Sequence, residues 1–174
     1  MFGLFKSESY RDAQLGELGR SGSHWKGSIA LAPCGTFRLS LAGSREAPDS
    51  LALRLAKELP RRIQTLMPKI QSGLFEHYAP YKEAVEAGEQ TGSPCPQIAS
   101  AEAVWLHVRP AHVLIESLKD VWRVEIAFRT EWDIEHGRSD LSRLAICRTQ
   151  RKCTGAMKSV GHDERISAEK VCLA

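Results

Sequence analysis

Asp133, Glu135 and His136 stand together at the end of a run that alternates apolar and polar residues. A carboxylate beside an imidazole can act as a general base or as part of a metal site. On an extended strand Asp133 and Glu135 share one side and His136 points to the other, so a turn is needed to bring ring and carboxylate together. Two readings follow. One is a small metal-dependent or hydrolase-like enzyme using these three residues. The other is a strand end whose polar side chains bond the turn backbone, and it is the more ordinary of the two, because structural networks also gather titratable groups.

The remaining chemistry-bearing residues are weaker candidates. His107 and His112 are five apart with Pro110 between them, a spacing that neither a helix nor a regular strand aligns for a metal. His77 lies beside an apolar stripe and reads as a histidine at the edge of the core. Cys34 sits in a glycine-containing turn between two strands, whereas a nucleophile elbow runs from strand into helix. Cys95 lies between prolines without a rigid base to activate it. Arg54, Lys57, Arg61, Arg62 and Lys69 give one helix a basic side, but Glu58 interrupts it and no aromatic residues are interleaved for base stacking. That side reads as a solvated face. No glycine-rich phosphate loop or dinucleotide fingerprint is present.

Charge places a further bound on function. Residues 1–137 carry 16 Lys and Arg against 17 Asp and Glu, and residues 138–174 carry 8 against 4. The main body has no positive excess with which to hold phosphates, so nucleic acid is not an expected partner. No stretch approaches a bilayer span. Met1 to Lys6 is too soon interrupted by charge to be a secretory signal, and five irregularly spaced cysteines suit a reducing cytoplasm.

The elements that must position these residues are legible from periodicity. Trp25, Gly27, Ile29 and Leu31 alternate with polar neighbours, as do Phe37, Leu39 and Leu41, with Pro33-Cys34-Gly35 as the turn between them. Asp49 is placed to cap a helix. Its apolar stripe is Leu51, Leu55, Leu59, Ile63, Leu66, Ile70, Leu74 and Tyr78, and it keeps its phase through Pro60 and Pro68. Gly88 to Pro96 is loop, and Ser100 is a candidate cap for a short helix carrying Val104 and Trp105. A strand from His112 to Leu118, a turn at Lys119-Asp120 and a strand with Val124, Ile126, Phe128 and Trp132 on one face complete a second hairpin.

Residues from about Leu15 to His136 resemble a family of small uncharacterised bacterial proteins, a domain of unknown function. The likeness rests on Trp25-x-Gly27, the Leu-Phe-Glu-His-Tyr run at 74–78, Val104-Trp105, and Glu131-Trp-Asp-Ile-Glu-His136. The resemblance implies a glycine next, then another strand, and an ending similar to Glu-Leu-Asn-Gly-Ser. This chain departs after His136. Read one nucleotide forward, codons for Arg148 through Cys153 can encode Glu-Leu-Asn-Gly-Ser-Ala, and Met157 followed by Lys158 then yields a stop codon. The tail is accordingly read as an out-of-frame translation of the family's last strand, and no function is assigned to Cys147, Cys153, His162 or Cys172. All twelve aromatic residues lie at or before Trp132, which accords with that break.

The expected fold is α+β: hairpins 25–41 and 112–132 in one antiparallel sheet, packed on one long proline-kinked helix. Residues 1–137 form that single domain, and 138–174 are a disordered tail that leaves the edge of the Trp132 strand uncovered. The expected function is a non-enzymatic cytoplasmic protein-interaction domain, with neither cofactor nor metal, that binds and neutralises another protein.

Overall fold

A computed structural model of the chain describes residues 8–89, 95–119, 121–135, 138–148 and 170–173, with side chains up to Asp133. Within these ranges the architecture is α+β: eight strands in one sheet, in the order of the chain, with one long helix on it. The strands are β1 (Ser9–Asp12), β2 (Gly16–Ser21), β3 (His24–Leu31), β4 (Gly35–Ala42), β5 (Val108–Leu118), β6 (Val121–Glu135), β7 (Arg138–Arg148) and β8 (Lys170–Leu173); the helix is α1 (Ser50–Glu86).

Both expected hairpins form. In β3 and β4 the alternation buries Trp25, Ile29, Leu31, Phe37, Leu39 and Leu41 on one face. Gly35 closes their turn with φ +107, a conformation that an L side chain rarely adopts. Gly27 answers a different need: a Cβ there would lie 2.5 Å from the Leu18 Cδ2 of β2, so the glycine makes room for a fully buried leucine. The β1–β2 hairpin was not anticipated. Its strands are short and mostly exposed, and Leu18 is their one buried apolar residue, too little to register as alternation.

α1 begins as expected. The Asp49 carboxylate accepts from the amides of Leu51 (2.7 Å) and Ala52 (3.3 Å), satisfying two donors that a first turn leaves open. The helix continues through Pro60, Pro68 and Pro80, all three on its exposed side. Each proline removes one backbone donor, and because its ring lies on the exposed side the buried stripe stays unbroken. From Leu55 to Tyr78 the stripe is buried against the sheet, and Leu51 is half-buried.

Four expectations need correction. The two hairpins join through a parallel pairing of β4 with β5, so the sheet is not wholly antiparallel; the helix between them is a connection long enough for a parallel crossover. The β5 strand starts at Val108 and runs through Pro110, where a register shift accommodates the missing donor. Ser100 does not cap by its side chain: the 3-10 helix Glu102–His107 starts after Ala101, and Ser100 supplies a backbone carbonyl to Ala103. Finally, the edge of β6 is covered. The backbone of Arg138–Arg148 pairs with it antiparallel, from Glu135↔Arg138 to Trp122↔Arg148, and β8 pairs with β7. Ladder bonds join backbone to backbone, so an open edge can recruit a strand that lacks period two. Residues 149–169, on which most of the expected tail falls, lie outside the described residues.

Candidate functional site

The one residue of the proposed catalytic set whose side chain is described, Asp133, meets His77. Glu135 is described only as backbone within β6, and His136 lies outside the described residues. His77 comes from the last third of α1, where the phase that buries Leu74 and Tyr78 leaves it at the margin of the sheet. Beneath it is the end of β6, with Trp132 only 1 % exposed.

Five contacts define the cluster. The Trp132 indole N–H donates to His77 Nδ1 at 3.1 Å. His77 Nε2 lies 3.8 Å from Asp133 Oδ2. The Tyr81 and Trp132 rings flank the imidazole at centroid distances of 5.5 and 6.3 Å, and Tyr78 meets Trp132 edge-on at 5.5 Å.

The chemistry follows from donors and acceptors. An indole nitrogen can only donate, so Nδ1 must accept, and in the neutral ring the proton sits on Nε2, towards Asp133. A histidine acting as general base has one nitrogen oriented by a carboxylate and the other free to take a proton. Here the second nitrogen is occupied by Trp132. The arrangement holds α1 against the end of β6. Among the described residues no group of three or more His, Cys, Asp or Glu is placed to hold a metal ion.

The motifs that looked separate in the sequence converge here. His77 and Tyr78 of one run meet Trp132 and Asp133 of another. Tyr78 is a second pin: its hydroxyl donates to the Pro96 carbonyl at 2.7 Å and accepts from the Ile98 amide at 3.2 Å, fastening the segment that leads to the 3-10 helix. Trp105 then meets Phe128 edge-on at 5.8 Å, and Trp25 is anchored by its indole N–H to the Ser44 carbonyl at 3.0 Å.

A family model described as "Domain of unknown function (DUF6985)" matches residues 14–139. The chain belongs to that family. The DUF6985 match ends three residues beyond His136, the last residue of the resemblance. No curated protein and no solved structure matches the chain.

The other candidates are not brought together. His107 Nδ1 lies 2.9 Å from Glu131 Oε2, while His112 Nε2 contacts the Ser40 hydroxyl at 2.9 Å; each has its own partner on another element. Cys34 and Cys95 are free thiols. Cys34 lines an apolar recess of about 250 Å³ with Pro33, Trp105, Val108, Pro110 and Phe128, and its Sγ donates to Met67 Sδ at 3.5 Å. Burial pushes both thiols above the ordinary cysteine value, which keeps them protonated and poorly nucleophilic. On the basic side of α1, Lys57 is held by Asp12 at 2.6 Å, and Arg54 and Arg62 both approach Glu58. Sequence reading missed the pairing of His77 with Asp133. The equal phase of Leu74, His77 and Tyr78 in the helix was its only signal.

Among the described residues no helix is long and apolar enough to cross a membrane.

Proposed function

We propose that this DUF6985 domain is a non-enzymatic protein-interaction module, working in the cytoplasm by binding and neutralising a protein partner. The observation that carries the reading is the one-sidedness of the sheet. α1 packs on the face that holds Ile29, Phe37, Leu39, Val113, Ile126 and Phe128. The opposite face presents Lys26, Ser28, Thr36, Arg38, Arg109 and Arg129 as exposed side chains on four adjacent strands. A flat polar face carried on a rigid sheet suits recognition of another surface, and its groups spread across strands instead of converging on one reacting atom. The occupied imidazole of His77 supports the same reading.

The test is recovery of a partner. Tagged protein expressed at native level should copurify with one protein in fixed ratio, and the complex should re-form from the two purified components. Stoichiometric zinc or manganese in the purified chain, lost in His136→Ala, would overturn this reading in favour of the hydrolase-like alternative through Asp133, Glu135 and His136.

A further inference from the structure

Three arginines lie exposed on the face of the sheet away from α1, on adjacent strands. Arg109 of β5 and Arg129 of β6 are directly opposite each other in the register. Arg38 of β4 lies beside His112 of β5, which in turn faces Ala127 of β6, two residues before Arg129. All three arginines are exposed. They belong to the face away from α1: Arg38 alternates with buried Phe37 and Leu39, Arg129 with buried Phe128 and Thr130, and Arg109 is the register partner of Arg129.

Among the side chains described, up to Asp133, no ion pair neutralises them. The nearby carboxylates are already engaged, Glu131 with His107 and Glu125 with Arg123, while His112 contacts Ser40. Arg38's neighbour on β3 is Ser28. Like charges directly opposite on adjacent strands weaken a sheet, so folding alone gives no reason to set Arg109 against Arg129. An anionic partner supplies one.

The geometry points to this face as the docking surface for an acidic segment of a protein partner. The inference rests on the interaction reading above and names the chemistry of what is bound. Neighbouring strands are about 4.8 Å apart, so the guanidinium groups are spread over a flat area. That matches a row of Asp and Glu side chains better than one enclosed phosphate. Single-stranded nucleic acid fits poorly, because the aromatic side chains that would stack bases are turned into the core: Trp25, Phe37, Phe128 and Trp132 are all buried. The near balance of charge over residues 1–137 also argues against a polyanion of that length.

Fluorescence anisotropy with a labelled oligoglutamate peptide tests the surface on the full chain. Binding should weaken with added salt. It should fall about tenfold or more in Arg38→Gln/Arg109→Gln/Arg129→Gln, as loss of three charge-assisted contacts implies. Arg61→Gln/Lys69→Gln, on the exposed side of α1, should bind as the wild type does. Thermal unfolding provides the control for folding: Arg109→Gln alone should melt no lower than wild type, since it relieves a like-charge pair. Equal peptide binding by the triple variant overturns the proposal. So does an oligonucleotide of equal charge that binds more tightly through the same arginines. If the complex reconstituted from purified components forms equally well with the triple variant, the arginine face is not the docking surface, while the interaction reading stands. Failure of any protein to form a complex defeats that reading itself.

Discussion

His77 shows how a residue suited to chemistry can be committed to architecture. Its Nδ1 receives the Trp132 N–H and its Nε2 faces Asp133. Removing the ring strands a buried indole donor, which costs about 1–3 kcal/mol. His77→Ala should therefore destabilise by about that amount in urea unfolding. Trp132→Phe in the same background should add less than it does alone, because the two share one hydrogen bond; additivity within about 0.3 kcal/mol would refute the coupling. Asp12 offers a second measurement at this scale. A hydrogen bond from Lys57 holds its carboxyl below the ordinary 3.8, aided by the amides of Gln14 and Leu15 and opposed by burial. A depressed folded pKa means stability fully present above the unfolded value and lost as pH falls from there through the folded value. In Lys57→Met the decline in stability below about pH 4 should be shallower than in wild type, and an unchanged acid limb would show that Lys57 does not set it.

At the scale of the element, α1 is the part whose sequence and structure agree most closely. Its stripe survives three prolines because each lies on the exposed side, leaving the buried face continuous. Leu66 sits near the middle of that face, 4 % exposed. Leu66→Ala should cost about 2–5 kcal/mol, the transfer loss plus the cavity left behind. A loss below about half a kilocalorie would mean that the helix does not pack on the sheet through this residue. The strands were legible wherever one face was buried and the other wet. They were obscure where burial was slight, as in β1 and β2, or where no run of period two announces the strand, as in β7.

Across the whole molecule, the consequential feature is the last part of the sheet. β7 covers β6 along most of its length, using residues whose character changes at the point where the DUF6985 match stops. A chain ending at Gly137 should lose protection from amide exchange over Val124 to Arg129 and should associate through the exposed edge. A chain ending at Arg148 should keep that protection. Equal protection in the two would show that β7 contributes nothing to the sheet.

The sequence by itself determined the α+β class, the helix with its Asp49 cap, both principal hairpins and the buried faces of β3, β4 and β6. These follow from local periodicity and turn chemistry, which act over a few residues. The family match ends at residue 139, and the composition of the text changes near the same place. Only the tertiary structure decided that β4 pairs parallel with β5, that His77 meets Asp133 from 56 positions away, and that Arg109 faces Arg129. Each depends on the register between distant segments. That register is set by how α1 fills the space between the hairpins, and no local pattern encodes it.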